Sequence, residues 1–140
     1  SQPWGMAIHG PLKGTRLRLI PARIVPWITW LDDHPDTLVI EVEGRGFGGR
    51  ESFSERYVIG ITLGEHAKAY AFEPASKEGV INDWVLLILV DPDTKGVYTY
   101  LRKVGDQQLD FIRRDGRLVD LQTGSIWEQA RGLAIEGTLR

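Results

Sequence analysis

From residue 57 onward the chain is a succession of short apolar runs, each closed by residues that favour turns, and this pattern constrains the fold more than any other feature. Runs at 57–63, 67–72, 84–90, 97–102, 109–113 and 118–121 read as strands, since they have strand length and carry turn signals between them. Asp91-Pro92-Asp93-Thr94-Lys95-Gly96 reads as a hairpin loop, and Asp115-Gly116 as a tight turn that favours positive φ. Residues 84–121 are therefore expected to form an antiparallel meander. Further upstream, 15–20 alternates as a half-buried strand does, and 38–43 reads as another strand. A single short helix is expected at about 26–34. Pro26 suits a first helical position, Trp27, Trp30, Leu31 and His34 fall on one apolar stripe, and Pro35 closes it. The pattern predicts a mainly β chain, an antiparallel barrel or sandwich-like domain with one short helix.

The 140 residues suffice for one domain with a real core, so residues 1–140 are read as a single β-rich domain. With 17 basic and 19 acidic residues there is no sustained field to capture nucleic acid or anionic lipid. The chain has no cysteine, which removes disulfides, thiolate zinc sites, iron–sulfur clusters and cysteine nucleophiles without fixing a compartment. No basic segment leads into an apolar run at the start, so no signal peptide is expected. The longest apolar stretch, 84–90, is far too short for a transmembrane segment.

One motif occurs twice. Residues 1–13, SQPWGMAIHGPLK, align with residues 128–140, EQARGLAIEGTLR, at an offset of 127 residues. Gln2, Gly5, Ala7, Ile8, Gly10 and Leu12 recur as Gln129, Gly132, Ala134, Ile135, Gly137 and Leu139, with Met6/Leu133 and Lys13/Arg140 chemically alike. The chain thus reads as slightly more than one period of a tandem-repeat protein. The parent is expected to carry a Trp just before Ser1, matching Trp127.

The run Asp120-Leu121-Gln122-Thr123-Gly124-Ser125-Ile126-Trp127, continuing through Gly132-Leu133-Ala134-Ile135-Glu136-Gly137, resembles the D-x-x-T-G-S-x-W…G-x-A-x-x-G signature of a prokaryotic family known as domain of unknown function 3179. Gly10-Pro11-Leu12-Lys13-Gly14, the Trp27/Trp30 pair and His34-Pro35-Asp36-Thr37 are similar to the family's segment after the signature. Tyr57-Val58-Ile59-Gly60-Ile61 with Gly64-Glu65-His66-Ala67-Lys68-Ala69-Tyr70 is similar to its opening strands, and Val80-Ile81-Asn82-Asp83 to its next landmark. Many members carry cysteines after that landmark, where this chain has Leu89-Val90-Asp91-Pro92-Asp93-Thr94 instead. In family order, 1–43 resembles the C-terminal part of one repeat, 44–56 is a loop, and 57–140 resembles the N-terminal part and signature of the next. The resemblance implies a fold unit and no established reaction. Members often look exported, so it leans toward an extracytoplasmic location.

Several groups of residues are candidates for chemistry. Gly44, Gly46 and Gly49 have dinucleotide-fingerprint spacing, but 50–56 lacks the apolar stripe of the helix that must follow, so a flexible loop is the better reading. Asp91-x-Asp93-x-x-Gly96 begins like a calcium loop, yet Lys95 and Arg102 stand where carboxylates are required. His9, His34 and His66 have no metal-site spacing, so no metal or other cofactor is expected. Ser125 is a candidate nucleophile with Asp120, Thr123 and His34 as helpers. The competing reading is that Asp120, Thr123 and Ser125 bond within a turn whose Gly124 takes a positive φ. Trp27, Trp30 and Trp127 are read first as core residues, and as ligand-binding candidates if exposed together.

On balance the sequence favours a noncatalytic structural or ligand-binding module, with neighbouring repeats of its own parent chain as partners. Two alternatives stand beside it: a hydrolase-like enzyme centred on the T-G-S-x-W motif, and an aromatic carbohydrate-binding surface.

Overall fold

The computed structural model describes residue 12, residues 14–40 and residues 56–136. Of the first copy of the repeated motif all but Leu12, His9 included, lies outside the described residues, as do the Gly44–Gly49 segment and the end of the second copy. The chain is mainly β, and no sheet closes into a barrel among these residues. It divides into two compact units, one made of Ile20–Gly79 with Val90–Val97, the other of residues 14–19, Val80–Leu89 and 98–136.

The first unit begins with β1 (Ala22–Pro26), which runs into α1 (Trp27–Asp33). Pro26 is the residue before the helix, with extended backbone at φ −61, so the helix starts one position later than its proline suggested. After β2 (Leu38–Ile40) come β3 (Tyr57–Leu63), β4 (His66–Ala71) and α2 (Phe72–Glu78). The sheet order is β1-β3-β4-β2, with β2 parallel to β4 and the other pairs antiparallel.

Helix α2 was not expected, and the run at 67–72 ends at Ala71 because Phe72 opens that helix. Its signals are short-range ones: Pro74 sits in the first turn where its missing N–H costs nothing, Glu73 and Lys77 match the helix polarity, and Gly79 stops it at φ 79. One core cluster of the unit is Trp27, Trp30, Val58 and Ala69. Trp30 lies flat against Gly60 of β3: a Cβ there would come within 2.3 Å of the indole, so the central strand needs glycine at that point. The loop at Asp91–Gly96 is closed by its own side chains. Asp91 Oδ1 accepts from the amides of Asp93 at 2.8 Å and Thr94 at 2.9 Å, so the carboxylate serves a turn.

The second unit holds β5 (Val80–Asp83), β6 (Leu86–Val90) and β7 (Val97–Leu101) except their end residues Val90 and Val97, and β8 (Lys103–Val104), β9 (Gln107–Gln108), β10 (Phe111–Arg114), β11 (Arg117–Asp120), β12 (Ile126–Glu128) and β13 (Leu133–Glu136). Consecutive strands are neighbours, as a meander requires, but in three pieces: β5-β6-β7, the β8-β9 ribbon and β10-β11-β12-β13. Leu87, Leu89, Tyr100, Phe111, Leu118, Trp127 and Ala134 from the two larger sheets share one core with Leu17 and Leu109, a sandwich-like packing. Asp115 and Gly116 turn β10 into β11 with φ 54 and 79, both positive as a two-residue hairpin demands.

The expected strand at 15–20 forms only two isolated bridges, Arg16 to Leu133 and Leu19 to Tyr100. Its alternation fails at Leu19, which is 64% exposed between the exposed Arg18 and the buried Ile20. Gly14 and Thr15 both face Ala134, forming a bulge with Gly14 at φ 87.

Candidate functional site

The T-G-S-x-W residues lie on the connection between β11 and β12. Asp120 ends β11, and its buried carboxylate is the hub of the turn. Oδ1 accepts the Thr123 amide at 2.5 Å, while Oδ2 accepts the Thr123 hydroxyl at 2.8 Å and the Trp127 indole N–H at 2.9 Å. Gly124 takes φ 72 and donates its amide to the Asp120 carbonyl at 2.9 Å. The Ser125 hydroxyl pairs with that of Thr123 at 2.8 Å, and its own amide reaches Thr123 Oγ1 at 3.3 Å. The sequence spacing follows from this geometry. A carboxylate closes the turn on the amide three residues later, glycine supplies the left-handed backbone, and the tryptophan returns on β12 with its N–H over the carboxylate.

Neither Asp120 nor Ser125 exposes any surface. A cleft borders this turn, lined by Arg114, Asp115, Arg117, Val119, Gly124 and Ile126. Of the motif it reaches Gly124 and Ile126, and the Ser125 hydroxyl partner is Thr123 rather than an imidazole.

His34 belongs to the other unit, where it follows α1 and lies against Trp30 with ring centroids 4.1 Å apart and the rings tilted by 36°. The surrounding His34-Pro35-Asp36-Thr37 segment locks the helix end. Trp30 donates its indole N–H to Thr37 Oγ1 at 2.8 Å, and that hydroxyl donates to the His34 carbonyl at 2.6 Å. Trp30 and Trp127 thus have the same arrangement: a buried ring whose one polar atom is satisfied by a turn side chain.

Trp27, Trp30 and Trp127 are 6%, 2% and 3% exposed, so none offers a free face for stacking a planar ligand. The exposed tryptophan among the described residues is Trp84, in the β5–β6 turn at φ 54. No group of three or more His, Asp or Glu residues gathers as a metal site among the described residues, and none of their helices is long and apolar enough to cross a membrane.

Three polar devices escaped the sequence reading. Asn82 forms a two-point clamp on β10, donating Nδ2–H to the Phe111 carbonyl at 2.9 Å and accepting the Phe111 amide at 2.8 Å. Arg102 is 7% exposed and spreads its guanidinium over the Leu86 carbonyl, the Leu109 carbonyl and Asp110 Oδ1 at 3.1, 3.0 and 2.9 Å. Tyr100 donates its hydroxyl to the Gln129 carbonyl, and burial pushes its phenol up to about 12, with Tyr98 and Glu128 adding to the rise. The only available signal was a polar residue inside an apolar run, which does not reveal its partner.

The chain matches a family model described as protein of unknown function (DUF3179) over residues 1–48. That segment contains Gly10-Pro11-Leu12-Lys13-Gly14, Trp27, Trp30 and His34-Pro35-Asp36-Thr37, so the resemblance stands on those residues. No curated protein and no solved structure matches the chain.

Proposed function

We propose that this chain is a noncatalytic structural or binding module of a tandem-repeat protein, with the T-G-S-x-W motif serving as a folding element. The observation that carries the reading is the Asp120 hub. All three hydrogen bonds to its carboxylate come from its own turn and from Trp127, and the Ser125 hydroxyl is buried against Thr123. A hydrolytic serine needs a base within reach and an opening to substrate. The internal likeness of residues 1–13 and 128–140 supports the repeat architecture, in which neighbouring units are the natural partners. The proposed division runs 1–43, 44–56 and 57–140, the end of one repeat followed by the start of the next.

Incubation with a fluorophosphonate serine probe tests the reading. Ser125 is expected to stay unlabelled in the native protein. Labelling that disappears with Ser125→Ala would establish the hydrolase-like alternative instead.

A further inference from the structure

The second copy of the repeated motif occupies a defined seat. Gly14 donates its amide to the Ala134 carbonyl at 2.7 Å, Ala134 donates to the Thr15 carbonyl at 2.8 Å, and Leu17 donates to the Gly132 carbonyl at 2.7 Å. On its other side β13 pairs with β12, Trp127 opposite Ala134 and Glu128 opposite Leu133. The seat is selective at two positions. Gly132 has φ 63, and a Cβ on it would meet the Tyr100 ring at 2.6 Å, so side chains are excluded both by conformation and by space. Ala134 is fully buried in the core, where a larger side chain would overfill it.

The first copy carries what this seat demands. Gly5 stands at the place of Gly132, Ala7 at that of Ala134, and Met6 replaces Leu133. Two of the differences between the copies fall where the seated one is exposed: Ala130 and Arg131 have Pro3 and Trp4 as counterparts. The chain therefore holds two copies of a motif and, among the described residues, one segment, 14–17, that receives it.

We propose that the 14–17 seat is an exchange site for the repeated motif, filled by Leu133–Glu136 in this structure and alternatively by residues 5–8 of the same chain. The exchanged pairing keeps the register: position 6 replaces 133 opposite Arg16, and residues 8–13 become a hairpin loop between Ala7 and Gly14. A loop this short gives the first copy a high effective concentration at the seat. Its occupation releases the second copy, which then enters the same seat on a neighbouring repeat. The site is thus the joint through which consecutive repeats connect. The inference rests on the repeat reading above but fails separately from its noncatalytic part, since labelling of Ser125 would leave the exchange untouched.

The chain has no cysteine, so engineered pairs report the pairing cleanly. Arg16 and Leu133 face each other between the bonds of their neighbours, a non-hydrogen-bonded pair whose Cα atoms are close enough for a disulfide. In the full chain, Arg16→Cys is combined with Leu133→Cys, with Met6→Cys, or with Ile8→Cys as an off-register control, and disulfide formation under mild oxidation is followed by mass spectrometry. The 16–133 and 6–16 pairs are both expected to close, with 6–16 at least tenfold faster than 8–16. Gly132→Val, which denies the second copy its place under Tyr100, is expected to raise the 6–16 rate further, and adding Gly5→Val to cancel that rise. Equal 6–16 and 8–16 rates would show an unstructured encounter and overturn the proposal. So would a 6–16 rate that Gly5→Val leaves unchanged, a comparison that needs no Gly132 variant to fold.

Discussion

Asp120→Asn is the sharpest perturbation of the turn, because it preserves size and shape while changing one acceptor into a donor. The aspartate uses both oxygens: Oδ1 for the Thr123 amide, Oδ2 for the Thr123 hydroxyl and the Trp127 indole N–H. Asparagine has one carbonyl oxygen. If its NH₂ takes the Oδ2 place, the Thr123 hydroxyl can rotate to accept, but the Trp127 N–H is left donor against donor. If it takes the Oδ1 place, the clash falls on the Thr123 amide. Either way one donor loses its partner, at about 1–3 kcal/mol, and the remaining bonds lose their charge-assisted strength. The net cost is about 2–4 kcal/mol, a large part of the stability of a small domain. In a chain of this length that corresponds to a fall in Tm of roughly 6–16 °C. Urea unfolding followed by tryptophan fluorescence measures it, with Thr123→Val and the double variant completing a cycle. The two substitutions should be clearly non-additive because they remove members of one network. A loss below about 0.5 kcal/mol for Asp120→Asn would refute the reasoning, since a hub carboxylate with three donors cannot be neutral to lose.

Other substitutions follow the same logic. Gly60→Ala drives a methyl into the Trp30 ring and should cost about 3 kcal/mol or more, read as a lower urea midpoint. Asn82→Ala removes both bonds to Phe111 and should cost about 1–3 kcal/mol, while Asn82→Asp should cost at least as much because a carboxylate then faces the Phe111 carbonyl. Tyr100 makes stability fall at high pH. Its folded pKa of about 12 exceeds the ordinary 10.0, so the unfolded chain gives up the proton first. Stability should therefore decline as pH rises from 10 toward 12, and Tyr100→Phe should flatten that decline while losing the bond to Gln129.

The parts of the fold that were legible are those written in local pattern. Strand Tyr57–Leu63 matches its apolar run because its pairings confirm the same limits, and the Asp115-Gly116 turn takes the positive φ values that its residue types favour. What the pattern concealed depends on distant partners. Residues 22–26, ARIVP, carry no clean alternation and become a strand only by pairing with β3. Helix α2 is seven residues long, too short to show a stripe, and of its residues only Phe72 falls in the apolar run that reads as a strand. The candidate site divides the same way. The spacing of Asp120, Thr123, Gly124 and Ser125 showed a turn, whereas the bond from Trp127 back to Asp120 required the register of β11 with β12. Asn82 and Phe111 are 29 residues apart, and no local signal links them.

The Trp127 indole N–H is the most direct witness to the central claim that this motif is a structural turn. In nitrogen-15 proton spectra its resonance is assigned by its disappearance in Trp127→Phe, and its exchange with deuterium is then followed in the native protein. A buried N–H donating to Asp120 is predicted to exchange only through opening of the core, and to lose that protection in Asp120→Asn. Exchange within minutes in the unaltered chain, as an exposed indole shows, would contradict the account.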